Sequence, residues 1–176
     1  MGLVHIYCGD GKGKTSAAVG LAVRAAGCGK RVVIARFLKT DNSGEVEILK
    51  KIPEVTLIPC RKTFGFVRSM DEETKRECAA YHRELFGEAM KLAEHADLVV
   101  FDEIMAAVNY GMVPERDVLE FLENRPGRDQ TDGLEIVLTG RDPSEKLIAA
   151  ADYVSEICKR KHPFDRGIMA RRGVEY

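Results

Sequence analysis

No stretch of this sequence stays apolar for the ~20 residues of a membrane-spanning helix. The opening residues Met1-Gly2-Leu3-Val4-His5 lack the basic and long apolar regions of a signal peptide. They do not form a lipidation signal, because position 6 is Ile6 rather than Ser or Thr. The five cysteines, Cys8, Cys28, Cys60, Cys78 and Cys158, include no C-x-x-C pair. Their odd number and wide spacing suggest neither a zinc site nor a disulfide framework. Reduced thiols in a cytoplasmic protein are the simplest expectation. Net charge is nearly absent as well, at −1. No global field therefore points to nucleic acid or a membrane, and any electropositive site must be local. Internal repeats and low-complexity stretches are also missing.

What is present is ordinary for a globular protein: 45% apolar and 31% charged residues. A chain of 176 residues suits one domain, 1–176, with a core large enough to need no staples. Apolar, β-rich runs alternate with helical patterns. Strands are predicted over 3–8, 31–37, 55–58, 98–101, 135–138 and 153–157. Continuous runs such as Val32-Val33-Ile34-Ala35 fit parallel strands buried on both faces. A helix over 15–26 should end at Gly27, a suitable C′ residue. The longest helix should follow Ser69, with Ser69-x-x-Glu72 as a capping box. Its apolar face would be Cys78, Tyr81, Leu85, Ala89 and Leu92. Further helices should start after Pro114 and Pro143. Segment 40–44 reads weakly, and 124–133 reads as an exposed loop.

The segment Gly9-Asp10-Gly11-Lys12-Gly13-Lys14-Thr15-Ser16 follows one predicted strand and opens a helix, the setting that makes a phosphate loop credible. Its glycines let successive N–H groups turn inward to phosphate oxygens, and the helix N-terminus adds its dipole. Lys14, expected to face solvent, would supply a charge, and the Thr15 hydroxyl would ligate Mg²⁺. The strict pattern G-x-x-x-x-G-K-[ST] places its first glycine on Cys8, so the loop is one residue short. The plainer alternative is a glycine-rich turn. The expected architecture is α/β and P-loop NTPase-like (RecA-like), a mainly parallel sheet with helices on both faces and right-handed crossovers.

A second acidic feature, Asp102-Glu103, ends the apolar run Leu98-Val99-Val100-Phe101. Ligands of open α/β sheets collect at such strand ends. A carboxylate there can hold Mg²⁺, or it can simply cap the next helix. His5 reads as a satisfied structural histidine, and His82 and His95 read as solvated. Cys8 reads as a small packing residue. The basic run Lys159-Arg160-Lys161, with Arg166, Arg171 and Arg172, reads as a solvated terminus, a nucleic-acid contact or a contact with a ligand's polar edge.

Taken together, these residues resemble the corrinoid (cob(I)alamin) adenosyltransferases of the CobA/BtuR type over nearly the whole chain. The segment Gly9 to Ala18 looks like that family's shortened loop, GNGKGKTTAA. Arg24-Ala25, Gly29-Lys30, Phe37-x-Lys39, Gly44-Glu45, Asp102-Glu103 and Thr139-Gly140-Arg141 match further family positions. Lys161-His162-x-Phe164-Asp165-x-Gly167, with Ala170, Gly173 and Tyr176, resembles its closing signature. Asp10, Ser16 and Thr40 depart from the usual Asn, Thr and Gly. Phe64-Gly65-Phe66 is the best match to the family's aromatic-x-aromatic element, with Phe66 where a Trp is common.

The resemblance implies attack of Co(I) on the 5′-carbon of ATP, with tripolyphosphate leaving. It implies ATP contacts at Gly9, Asp10, Gly11, Lys12, Gly13, Lys14, Thr15, Ser16, Arg24 and Arg141. Lys12 and Lys14 would stabilise the leaving charge, and Thr15, Asp102 and Glu103 would hold Mg²⁺. Phe64 and Phe66 would cover one face of the corrinoid, since residues two apart in an extended segment share a side; core packing is an equal alternative. An electron donor such as a flavoprotein and a homodimeric state are further expectations, with no nucleic-acid or membrane partner. A P-loop ATPase or small kinase is the competing enzyme, and a nucleotide sensor the competing non-enzyme.

Overall fold

A computed structural model describes residues 2–128, 130 and 132–176. Six strands form one sheet: β1 (Val4–Cys8), β2 (Val32–Arg36), β3 (Val55–Leu57), β4 (Leu98–Asp102), β5 (Glu135–Thr139) and β6 (Tyr153–Glu156). Their order is β3-β2-β4-β5-β1-β6, and every pairing is parallel. The expected strands all occur, with ends shifted by no more than one residue.

Side chains alternate across each strand, so one strand feeds two cores. On one face Val33, Ala35, Val99, Phe101, Ile136 and Leu138 pack with buried residues of later helices. Those helices are α3 (Glu72–Ala93), α4 (Ile104–Asn109), α5 (Glu115–Glu123) and α6 (Glu145–Ala150). On the other face Val32, Ile34, Leu98, Val100 and Val137 pack against α1 (Lys14–Gly27) and Leu49 of α2 (Gly44–Leu49). Helices thus cover both faces, as an all-parallel sheet requires. The small residues Ala18, Ala22 and Ala26, four apart and buried, let α1 lie close to the sheet. β2 and β4 are buried throughout, whereas β6 is exposed along its length at the sheet edge.

The N-cap of α3 differs from the sequence reading. Asp71, not Ser69, caps the helix, its side chain accepting from Thr74 N at 2.8 Å. Ser69 lies instead in a short 3₁₀ turn, Val67–Ser69. His82 also differs, being 3% exposed on the buried stripe of α3 with Cys78, Leu85, Phe86 and Ala89. His95 is exposed as expected. In the loop 124–133 the described residues carry neither helix nor strand, and Asp129 and Thr131 lie outside the described residues. His5 is satisfied: its Nε2 lies 2.6 Å from the Glu135 carboxylate, and its ring stacks on Tyr153.

All strands being parallel, the ends of β1, β2, β4 and β5 open on the same edge. That edge carries residues 9–13, the loop 37–43, the Asp102-Glu103 pair and Gly140-Arg141.

Candidate active site

The loop 9–13 joins β1 to α1 and lies against the segment following β6. Gly11 N donates to Ile157 O at 2.7 Å. A Cβ at Gly11 would stand 2.6 Å from Ile157 O, and one at Gly9, where φ is 98°, 2.5 Å from the same atom. Only glycine permits this approach. Asp10 accepts from Lys159 N at 2.8 Å, and that bond holds its carboxyl below the usual carboxylate range.

Lys14 does not face solvent. It is 8% exposed, and its Nζ curls into the loop, donating to Gly9 O at 2.8 Å and Gly11 O at 2.9 Å. Burial lowers its pKa below the ordinary lysine value, with the Arg141 charge adding to the effect and Glu103 opposing it. Loop carbonyls therefore hold the ammonium where a phosphate would need it.

Beneath the loop, Asp102 ends β4 with only 2% exposure. Thr15 Oγ1 donates to its Oδ1 at 3.0 Å and Thr139 Oγ1 to the same atom at 2.7 Å. The Lys39 ammonium donates to the other carboxylate oxygen, Oδ2. It also donates to Thr15 Oγ1 at 2.7 Å. Thr139 further accepts from Glu103 N at 2.8 Å. Glu103 holds φ 61°, a left-handed conformation costly for a non-glycine residue and typical of functional sites.

Two cavities meet here. The smaller, about 300 Å³, is lined by Asp10 through Ser16, Lys39, Glu103 and Arg141. His162 joins that wall while its Nδ1 accepts from Phe164 N at 3.2 Å, so it both fixes its turn and faces the cavity. The larger, about 1120 Å³, runs between α1, the loop after β2, residues 62–66 and residues 173–176. Thr15, Ser16, Lys39, Val174 and Glu175 border both. Glu175 is drawn down to about 2 by the Arg171 guanidinium that it accepts from at 3.1 Å, and so stands ionised at the junction.

Phe64 and Phe66 both line the larger cavity. Gly65 between them has φ 79°, which breaks the extended run on which a shared side was expected. Phe64 is half-buried, its ring centroid 5.7 Å from Tyr81 and 6.4 Å from His82. Phe66 is 86% exposed. Arg24 is not brought to the loop. It lies exposed ten residues along α1 from Lys14, about 15 Å at the helical rise, and lines neither cavity.

Sequence reasoning missed other parts. Lys39 and Thr139 were matched to a family pattern without a role. His82 contributes to the larger cavity with its Nδ1 buried and unpartnered, and burial pushes its pKa down to about 4, so the ring is neutral near pH 7. Arg36, 2% exposed, pairs with Asp41 and donates to Thr40 O at 2.9 Å, pinning the loop that walls the larger cavity.

Among the described residues no three His, Cys, Asp or Glu side chains cluster as a self-sufficient metal site. Thr15 nonetheless bonds the Asp102 carboxylate, Glu103 lines the same cavity as Thr15, and the buried Asp102 carboxylate already attracts an ammonium. That donor set fits Mg²⁺, which is usually held by one or two carboxylates plus substrate phosphates and keeps several waters.

A family model described as "ATP:corrinoid adenosyltransferase BtuR/CobO/CobP" matches residues 1–176. A corrinoid adenosyltransferase of Escherichia coli is 34% identical over 178 residues, covering 99% of this chain and 86% of the relative. Corrinoid adenosyltransferase CobA of Salmonella typhimurium is 35% identical over 177 residues, with coverage of 99% and 86%. That of Pseudomonas aeruginosa is 31% identical over 178 residues, with coverage of 99% and 84%.

Proposed function

This chain belongs to the ATP:corrinoid adenosyltransferase family BtuR/CobO/CobP, and from that membership we propose that it transfers the 5′-deoxyadenosyl group of ATP to the cobalt of a reduced corrinoid. One observation carries the reading. The cavity at the glycine-rich loop adjoins the larger aromatic-walled cavity, and Thr15, Ser16 and Lys39 border both. A nucleotide in the first then presents its 5′-carbon to a large planar partner in the second.

In this reading Co(I) attacks the 5′-carbon, the carbon–oxygen bond breaks, and its electron pair leaves with tripolyphosphate. Little acid–base chemistry is required, because the corrinoid is itself the nucleophile. The protein supplies orientation and charge. Lys14 is pre-aimed by the Gly9 and Gly11 carbonyls, and Lys12 and Arg141 add charge around the leaving oxygens. Thr15, Asp102 and Glu103 would hold Mg²⁺, whose chemistry when bound is to neutralise the triphosphate. The exposed Phe66 and the half-buried Phe64 would exclude a lower axial ligand from the cobalt. Cobalamin and cobyrinic acid a,c-diamide are both suitable acceptors, a flavoprotein is a suitable electron donor, and a homodimer in the cytoplasm is the proposed setting.

The test is anaerobic incubation with ATP, Mg²⁺ and chemically reduced cobalamin, following the absorbance change of cobalt–carbon bond formation and the phosphate product. Tripolyphosphate is expected. Orthophosphate or ADP without that absorbance change would make the chain an ATPase or kinase instead.

A further inference from the structure

The Asp102 carboxylate is nine-tenths buried and cannot stand alone, since an unpaired charge in that setting is strongly disfavoured. Two hydroxyls, from Thr15 and Thr139, donate to one of its oxygens, and neither carries charge. The counter-charge is Lys39, whose Nζ touches Asp102 Oδ2 and lies 2.7 Å from Thr15 Oγ1. A compact ammonium thus sits against the oxygens that the proposed function gives to a divalent cation. Two cations cannot share them, because Coulomb repulsion at such spacing is severe. Lys39 is also able to leave. Its side chain keeps 24% exposure, its stem is flexible, and it borders both cavities.

We propose that Lys39 Nζ occupies the cation position between Thr15 and Asp102 in the nucleotide-free protein and yields it to the divalent cation that arrives with ATP. The released ammonium stays on the wall between the cavities, where the triphosphate offers it a new anion. Lys39 is therefore a positioning residue that keeps the metal position formed and charge-balanced between turnovers. The inference rests on the reading of Thr15 and Asp102 as metal ligands.

The test uses the full chain and Mn²⁺ as probe, with free Mn²⁺ read by its electron paramagnetic resonance signal. Without nucleotide, wild type should bind Mn²⁺ weakly, whereas Lys39→Met should bind it at least tenfold more tightly. Adding Mg²⁺ should raise the urea midpoint of Lys39→Met and barely move that of wild type. Lys39→Met/Asp102→Asn should show neither gain. Equal Mn²⁺ affinity in wild type and Lys39→Met would overturn the role of Lys39, provided Mn²⁺–ATP binding still falls in Asp102→Asn. If Asp102→Asn binds Mn²⁺–ATP like wild type, the metal-site reading itself fails. A measurement on wild type needs no variant to fold: labelling of Lys39 by an amine-acylating reagent, mapped by mass spectrometry, should stay unchanged at low Mg²⁺ and rise when Mg²⁺, added without nucleotide, reaches the large excess that saturates the weak wild-type site. Unchanged labelling at that excess would sink the exchange.

Discussion

Thr139 Oγ1 donates to Asp102 Oδ1 at 2.7 Å while accepting from Glu103 N at 2.8 Å, so one hydroxyl at the end of β5 fixes both members of the acidic pair. Replacing it removes a buried bond to a charged group and orphans a backbone donor. Thr139→Val should destabilise the chain by about 1–3 kcal/mol, measured by urea unfolding. It should also raise the Mg²⁺ concentration needed for half-maximal turnover. Thr139→Ser should recover most of both. A valine variant as stable as wild type would show that Asp102 and Glu103 are held by other means.

Lys14 is fixed by two loop carbonyls before any nucleotide arrives. Lys14→Met should leave the circular dichroism spectrum unchanged and weaken ATP binding by at least tenfold, which is about 1.4 kcal/mol, by calorimetry. Linkage adds a second signature. The folded pKa of Lys14 lies below its unfolded value of 10.5. The unfolded state therefore binds more protons in that window, and folding stability gains as pH rises through it. The urea midpoint of wild type, relative to Lys14→Met, should accordingly improve as pH rises towards 10.5.

Phe64 and Phe66 should separate cleanly. Phe66 is exposed, so Phe66→Ala should change stability by less than about 0.5 kcal/mol. Adenosylation starting from Co(II) should nevertheless fall steeply, and that from chemically prepared Co(I) much less. Phe64 packs on Tyr81 and His82, so Phe64→Ala should cost about 1–3 kcal/mol as well. If Phe66→Ala retains full Co(II)-dependent activity with unchanged ATP affinity, the corrinoid face lies elsewhere.

His82 titrates near 4 in the folded chain against 6.5 when unfolded, because burial disfavours its charged form. The unfolded state binds the extra proton between those values. Stability tied to the neutral ring is complete above pH 6.5 and is lost as pH falls towards 4. The full loss is at most about 3 kcal/mol, from 1.36 kcal/mol per pH unit. His82→Met should flatten that part of the urea-midpoint profile, and an unaltered profile would reassign the acid sensitivity to other groups.

Much of this architecture was readable in advance. Continuous apolar runs such as Val32 to Ala35 announce buried parallel strands, and the glycine–lysine segment and Asp102-Glu103 mark the sheet edge that carries the candidate site. The misreadings have local causes. The start expected at Ser69-x-x-Glu72 fails because the 3₁₀ turn over Val67–Ser69 consumes Ser69, and Asp71 caps the helix instead. His82 sits among Tyr81, Arg83 and Glu84 and looks polar, yet the row Cys78, His82 and Phe86, spaced four apart, would have marked it as buried. α2 and α4 are six residues each, too short for a periodic signal. Lys39 and the 173–176 wall belong to the site only through contacts between distant segments, which periodicity cannot register.

The position of β1 has a consequence for how the molecule assembles. It is the first strand in the chain, yet its two neighbours are β5 and β6, the last to be made. A growing chain can pair β2, β3 and β4 while β1 still has no partner. Closing so long a loop is entropically slow. The glycine-rich turn acquires its shape later still, when Ile157 and Lys159 come to lie against Gly11 and Asp10. A nucleotide bound at that turn, as proposed, would then recognise chains in which β6 is already paired rather than template the core. A ribosome-bound chain lacking β6 should be collapsed and helical, but unable to hold ATP.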